Sequence, residues 1–304
     1  MRRFMTAFVL PVVFLFASAR GGERVETKEV EGAPFIIVFP LHLEAMAERT
    51  ARIIVRSYTE ISGDIGLEGL DTVTVYIAGD RETYRRYHGD LAPEWGVAYS
   101  RWHGREIGID AGAVLSQPRP LETVLRHELS HIALAERTGG VPCPRWFVEG
   151  LAMLQSKEWT FEDHWGLVRS IRAKSLPALD DLSGPFPRNA ADATLAYRVS
   201  YYAVEELLRD RRGDLVTLTA FIRDLESFDE SFALTFGESP GEYSARLHVL
   251  MLDRYETAAL LIGSLPYWGA ITLLFVAAYA VKRIRTGKRA REWERADKAA
   301  GERF

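Results

Sequence analysis

The feature that most constrains this chain is an uncharged run of 25 residues near its C-terminus. Residues 257–281 read TAALLIGSLPYWGAITLLFVAAYAV and carry no acidic or basic side chain. A helix of this length reaches about 37 Å, which exceeds the ~30 Å hydrocarbon core of a bilayer. The run therefore predicts a transmembrane helix, in which Pro266 either produces a kink or marks the true start. A buried core helix is the alternative, but a basic segment, KRIRTGKRAR, follows at once.

Charges at both ends predict how the chain is oriented. Residues 282–304 hold nine Lys or Arg and four Asp or Glu, and the positive-inside rule places such a basic tail in the cytoplasm. Residues 1–19 fit a secretory signal peptide that is cut after Ala19, with Arg2 and Arg3 before an apolar run. An uncleaved N-terminal anchor is the alternative. We expect a single-pass protein of the plasma (inner) membrane whose body lies outside the cytoplasm, in the periplasm or at the cell exterior.

The body of the chain is acidic, which argues against a nucleic-acid partner. Residues 20–281 hold 27 Lys or Arg and 38 Asp or Glu, a net charge of −11. We expect no binding of nucleic acid, because such an acidic surface would not neutralise the phosphates. Cys143 is the only cysteine, which excludes an internal disulfide. The sequence carries no signal for an oligomeric state.

Apolar spacing divides the body into two parts. Before Pro118 it predicts a helix from residue 41 to about Ile61, stopped by Gly63, together with strands. After Pro120 it predicts helices only, which gives an α+β fold with an N-terminal α/β lobe, 20–118, and a helical lobe, 119–255. The predicted strands are 33–40, 71–79, 96–102 and 105–110. The predicted helices of the second lobe are 120–136, 145–157, 162–173, 192–211, 214–225, 228–236 and 240–254.

The stretch RHELSH, residues 126–131, carries two histidines four residues apart. Positions i and i+4 of a helix lie on one face, so His127 and His131 can reach the same metal ion. Glu128 lies one residue round the helix, where it can act as acid and base on a metal-activated water. Apolar residues surround the motif and predict a buried helix, in which these polar groups would be costly unless they were bonded or bound to metal.

A second glutamate follows in PRWFVEGLAM, eighteen residues after His131. Glu149 lies in a new predicted helix and is the candidate third ligand. Gly150 costs a helix about 1 kcal/mol relative to alanine, which indicates close approach of another backbone, and we expect this to be the histidine helix. Two imidazoles and one carboxylate, with a fourth position left for water, are the ligand set of a catalytic zinc site.

These motifs resemble a known family. HELSH followed by WFVEGLA is similar to the gluzincin zinc metallopeptidases, which include thermolysin-like and aminopeptidase N-like enzymes, and above all to the bacterial peptidase MA-like domains. The segments 195–208 and 227–243 resemble the helices that follow the ligands in that group, and the resemblance covers roughly residues 70–250. It implies a zincin-like fold and a peptide or protein substrate.

The resemblance also implies a role for each motif residue. It makes His127, His131 and Glu149 the ligands of Zn²⁺ and Glu128 the catalytic acid and base. Gluzincins further place a tyrosine, or in some a histidine, where it hydrogen-bonds the oxyanion formed from the substrate carbonyl.

Three tyrosines on one predicted helix are candidates for the oxyanion donor. By its position in AYRVS, Tyr197 is the first candidate; Tyr201 shares its helix face and is the second, and Tyr202 is the third. Packing is the alternative role for this trio, because aromatic residues at helical spacing usually lie in the core.

One departure from the family bears on the kind of peptidase. Aminopeptidase N-like enzymes carry an upstream Gly-x-Met-Glu-Asn strand that grips the free amine of the substrate. The strand here, GVAYSRW at 96–102, contains no glutamate. We therefore expect an endopeptidase rather than an aminopeptidase, with this strand free to pair with an extended substrate backbone.

The sequence as a whole predicts a membrane-anchored zinc metallopeptidase. The first alternative is a zinc-stabilised scaffold or binding module without peptidase activity, but a scaffold has no need of Glu128. The second is a chance motif that binds no metal.

Overall fold

A computed structural model of the protein describes residues 14–16, 25–88, 96–116, 120–209, 211 and 214–301. The strands lie in the N-terminal part, and helices form most of the remainder. The described residues contain six strands: β1 (Phe14–Phe16), β2 (Val25–Val30), β3 (Phe35–Pro40), β4 (Val73–Ala78), β5 (Ala98–Arg101) and β6 (Glu106–Asp110). This arrangement confirms the predicted α+β class, while the zincin-like fold stays a prediction.

All the strands belong to one sheet, in the order β1-β2-β3-β4-β6-β5. The central strands β3, β4 and β6 run parallel, and β5 pairs antiparallel with β6 at one edge. Ile37, Val75 and Ile107 lie side by side across the centre and are fully buried. Among the described residues, no strand pairs with the outer edge of β5.

The four predicted strands are observed, with slightly shorter bounds, as β3 to β6. The sequence analysis missed β2, because VETKEV is polar and only its two end residues are buried. β1 lies inside the predicted signal peptide and pairs with β2. Removal of residues 1–19 stays a prediction, and such removal would leave β2 as the edge strand.

Helices account for most of the chain after the sheet. The described residues form ten: α1 (Glu44–Ile65), α2 (Arg81–His88), α3 (Ala111–Ser116), α4 (Leu121–Thr138), α5 (Arg145–Ser156), α6 (Phe161–Arg172), α7 (Ala190–Leu207), α8 (Asp214–Leu225), α9 (Phe228–Phe236) and α10 (Pro240–Gly301). Six of them follow a residue whose side chain accepts a hydrogen bond from a backbone N–H of the first turn; these residues are Asp80, Asp110, Thr160, Asn189, Ser227 and Ser239.

The prediction that Gly63 stops the first helix is wrong. α1 continues through Gly63 to Ile65 and ends at Gly66, whose φ of 69° lies in the left-handed region. Glycine adopts this conformation without a clash, so Gly66 is the residue suited to end the helix.

One hydrophobic core joins the sheet to the helices. α1 packs against β3 and also against α4 and α8. Buried side chains from both predicted lobes, such as Ile54, Leu125 and Leu218, belong to the same cluster. The predicted boundary at 118 and 119 does not coincide with a break in this core. Pro118 itself lies outside the described residues, and the division into lobes stays a prediction.

The last helix, α10, runs without a break through Pro266 and contains the predicted span at 257–281. Within it, Tyr267–Gly287 is long and apolar enough to cross a membrane, and none of it is buried inside the protein. The first part of α10 packs on the body through buried side chains four residues apart: Tyr243, Leu247, Met251 and Tyr255.

Candidate metal centre

The helices α4 and α5 bring the three predicted ligands together. His127 and His131 lie one turn apart on α4, and Glu149 reaches them from α5. Glu149 Oε2 lies 3.5 Å from His127 Nε2 and 3.7 Å from His131 Nε2. The three ligand atoms all lie within 4.8 Å of one another.

Two of these distances are close to those between tetrahedral ligands of a small cation. With zinc–ligand bonds of about 2.0–2.1 Å, the edge of such a tetrahedron is about 3.3 Å. The two contacts of Glu149, at 3.5 and 3.7 Å, are close to that edge. The group His127, His131 and Glu149 could therefore hold a metal ion, and its nitrogen and oxygen donors suit zinc among several divalent metals.

The electrostatics of the group also favour a cation. Burial disfavours the charged form of His127, but its contacts with Glu149 and Glu158 outweigh burial and raise the pKa of His127 to about 10. Burial lowers the pKa of His131, so this imidazole is neutral near pH 7. Burial opposes ionisation of Glu149 too, yet the interaction with His127 lowers the pKa of Glu149 to about 2. A bound metal ion would take the place of the proton on His127.

Two further side chains orient the ligands. His127 Nδ1 lies 2.7 Å from Glu158 Oε1, and the hydroxyl of Ser156 donates to the same carboxylate at 2.8 Å. Arg145 pairs with Glu149 Oε1 at 3.0 Å, which leaves Oε2 directed to the histidines. Sequence reasoning missed Glu158, since no motif marks it.

The predicted acid and base, Glu128, lies one residue round α4 from His127 and points toward the edge of the sheet. The hydroxyl of Ser100 on β5 donates to Glu128 Oε2 at 2.6 Å. This contact places β5 beside the metal-binding group. Sequence reasoning identified the strand but gave no role to Ser100.

The three candidate tyrosines point to different surroundings. The ring of Tyr197 packs edge-on against Phe186, 5.1 Å between centroids, and the guanidinium of Arg145 lies 5.0 Å over the same Phe186 ring. Tyr201 instead stacks on Trp159 at 4.3 Å, and the hydroxyl of Tyr202 accepts a hydrogen bond from the Arg254 side chain of α10 at 2.9 Å.

Tyr197 is thus the candidate that shares the Phe186 ring with Arg145, the partner of Glu149. Burial, followed by the negative charge of Glu149, raises the pKa of Tyr197 to about 12. The hydroxyl therefore keeps its proton at neutral pH and can donate a hydrogen bond.

The close approach predicted at Gly150 exists, but with a different partner. A Cβ at Gly150 would lie 2.2 Å from the backbone oxygen of Ser200 on α7. The expectation that Gly150 faces the histidine helix is wrong, because α5 lies between α4 and α7 and turns its ligand, Glu149, toward α4. Gly150, about 100° round α5 from Glu149, lets α7 approach α5 closely.

Comparison with known proteins adds no relative. A scan against protein-family models finds none that matches this chain, and a search of curated proteins finds no significant match. The resemblance to gluzincins stays a prediction from the sequence motifs.

Proposed function

We propose that this protein is a membrane-anchored zinc metallopeptidase that hydrolyses internal peptide bonds. The observation that carries the proposal is the convergence of His127, His131 and Glu149 with Glu128 adjacent on the same helix turn. Three ligands with a neighbouring glutamate are the minimum set for zinc-assisted hydrolysis. A metal held only for stability would need no such glutamate.

The residues divide the chemistry between them. A zinc ion held by the three ligands would supply a Lewis acid and an acidified water. Glu128 accepts the proton of the attacking water and delivers it to the leaving amine, while Ser100 holds the carboxylate in place. Tyr197 donates its hydroxyl proton in a hydrogen bond to the oxyanion that develops on the substrate carbonyl.

The edge of β5 offers a place for the substrate backbone. An extended peptide can add a strand to a free edge through main-chain hydrogen bonds, which do not depend on a free amino terminus. Ser100 connects this edge to Glu128, so a peptide on β5 would run past the acid and base. This placement supports an endopeptidase, as does the absence of a glutamate from residues 96–102.

The C-terminal helix supports membrane anchoring. The segment Tyr267–Gly287 has the length and composition of a span, and nine Lys or Arg lie in residues 282–304. We propose that α10 crosses the plasma membrane once with its basic end in the cytoplasm, so that the metal centre lies outside it.

The variant Glu128→Gln tests the peptidase proposal. Full-length protein in detergent is assayed for bound metal by mass spectrometry and for cleavage of a fluorescence-quenched peptide library. We expect Glu128→Gln to retain one zinc per chain and to lose at least about 10²-fold in cleavage rate. Glu122→Gln, on the first turn of the same helix, is the matched control and should behave as wild type.

Three results would contradict the proposal. Hydrolysis retained by Glu128→Gln would exclude this mechanism. Zinc bound to wild type, with peptides uncut and chelation lowering only the melting temperature, would instead support a zinc-stabilised scaffold. Absence of any bound metal after expression with added zinc would leave the motif as coincidence.

A further inference from the structure

The helix α6 exposes one aromatic ring, Phe161, that the metal centre does not use, and the partly buried Trp165 lies beside it. Phe161 is 74% exposed, and the ring of Trp165 packs edge-on against it at 5.4 Å. Two exposed arginines, Arg169 and Arg172, continue the same helix face at the spacing i, i+4, i+8 and i+11. We call these four residues the α6 face. Aromatic rings beside basic groups are typical of surfaces that contact a membrane interface.

The α6 face lies where the chain approaches the bilayer. His164, within the same turn of α6, packs its ring 5.0 Å from that of Tyr255 on α10, and the Tyr255 hydroxyl lies 3.4 Å from His164 Nδ1. Tyr255 is two residues before the uncharged run 257–281, a rise of about 3 Å along the helix. Counting back about 20 residues from Lys282 for the hydrocarbon core, and 5–7 Å more for headgroups, reaches about residue 258. Tyr255 and the first turn of α6 therefore lie within about 5 Å of the outer edge of the headgroup layer.

The charges of α6 favour an anionic surface. Arg169 and Arg172 form no ion pair with any described residue, and exposed Lys174 follows them without one. Asp163 is engaged by Arg198 at 3.0 Å, which leaves Glu162 as the acidic group on α6 that solvent reaches freely. This local excess of positive charge stands out on a body whose net charge is −11.

We propose that the α6 face rests on anionic phospholipid headgroups, so that the body touches the membrane at a second point beside α10. Phe161 and Trp165 enter the headgroup layer, and the arginines pair with lipid phosphates. The proposal depends on the proposed membrane span of α10 and is independent of peptidase activity. It restricts the tilt of the body relative to the bilayer.

Site-specific labelling tests the contact in the full-length protein. With Cys143→Ala as background, an environment-sensitive fluorophore is attached to Phe161→Cys, and the protein is placed in vesicles of phosphatidylcholine with about one-third phosphatidylglycerol. Leu234→Cys is the matched control, because Leu234 on α9 is similarly exposed at 65%. α9 packs on α10 near Tyr243, about 18 Å further from the membrane than Tyr255. Tyr279→Cys marks the span.

We expect lipid that is spin-labelled near the headgroup to quench the fluorophore at position 161 at least twofold. The same lipid should also quench the fluorophore at position 279, whereas the fluorophore at position 234 should not be quenched. Equal emission at 161 and 234, with 279 quenched, would overturn the proposal. Lack of quenching at 279 would overturn the membrane span and the proposal together.

The charge component has its own control. Arg169→Glu with Arg172→Glu should remove most of the quenching at 161 in anionic vesicles. Arg49→Glu with Arg52→Glu makes the same charge change on exposed positions of α1 and should leave the quenching intact. Equal loss in both pairs would refute a specific contact by the α6 face, because it would reflect net charge alone.

Discussion

The two histidines of the metal centre differ in what holds their second ring nitrogen. His127 Nδ1 meets the carboxylate of Glu158 at 2.7 Å, whereas His131 Nδ1 is buried and finds no hydrogen-bond partner among the described residues. A partner at Nδ1 fixes the tautomer and the ring orientation, so Nε2 is presented to the metal. His127 is thus oriented by a charge, and His131 only by the packing of α4.

This difference makes Glu158 a positioning residue for the metal. Glu158→Gln keeps the shape but replaces the carboxylate with a neutral amide, and we expect zinc affinity to fall about 10–100-fold. Competition with a zinc-binding dye measures it on purified full-length protein. Glu162→Gln, four residues later and exposed, should leave the affinity unchanged. An affinity within twofold of wild type for Glu158→Gln would exclude the role.

A second residue-scale prediction concerns the oxyanion donor. Tyr197→Phe removes the hydroxyl and keeps the ring against Phe186, so we expect kcat to fall about 10²–10³-fold with little change in KM. Tyr201→Phe is the matched control, since its ring stacks on Trp159. Steady-state kinetics on one peptide cut by wild type measure both. Equal loss of kcat in the two variants would assign these tyrosines to packing.

Sequence reasoning identifies the two candidate histidine ligands because they lie close together in the chain. The spacing i and i+4 places His127 and His131 on one helix face whatever the rest of the fold does. The contacts of Glu158 and Ser100 join residues 31 and 28 positions apart. They depend on the turn at Lys157, whose φ is 60°, and on the position of β5 over α4, which no local pattern encodes.

At the scale of elements, the approach of α7 to α5 depends on one glycine. A Cβ at position 150 would meet the Ser200 backbone oxygen at 2.2 Å and Val204 Cγ2 at 2.7 Å, and a backbone atom cannot move aside. We expect Gly150→Ala to destabilise the fold by about 1–3 kcal/mol, because the two helices must separate. Thermal and guanidinium unfolding of the full-length protein in detergent measure this.

The control for Gly150→Ala is the same substitution on α1. Gly63 is helical and has nothing within 4 Å of a built Cβ, so Gly63→Ala should stabilise by about 0.5–1 kcal/mol. Both variants add a methyl group to a helical glycine, so opposite signs of the change in unfolding free energy would come from the difference in packing around positions 150 and 63. Destabilisation by both would mean that the loss at Gly150 does not report the approach of α7.

Elements with strong apolar periodicity were predictable from the sequence. A polar strand and a helix end set by a capping glycine were not. The helix predicted at 145–157 is α5, Arg145–Ser156, because its apolar positions repeat at helical spacing. β2 escaped because its polar residues give no strand alternation, although pairing with β3 holds it in the sheet. The end of α1 was misplaced because a helical glycine and a capping glycine look alike in sequence.

At the scale of the whole molecule, the metal centre lies close to the proposed membrane contact. Glu158, which orients His127, is three residues before Phe161, so their Cα atoms lie at most about 11 Å apart. α10 carries no break between its packed part and the proposed span. The helix and the α6 face together would hold the metal centre at a fixed, short height above the bilayer.

This geometry predicts a preference for substrates near the membrane. A flexible Gly/Ser linker of 20 residues inserted between Glu256 and Thr257 would let the body move by about 25 Å. For a peptide that wild type cuts in solution, we expect the insertion to leave soluble cleavage unchanged. When the same peptide is tethered to vesicle lipid by a few residues, its cleavage should fall at least fivefold, because the linker lowers the effective concentration of the metal centre at the surface.

Fluorescence dequenching in vesicles measures both rates on the same preparation. If wild type and the insertion variant cut the tethered peptide at equal rates, α10 does not set the height of the metal centre. If the variant no longer cuts the peptide in solution, the insertion damages the body itself.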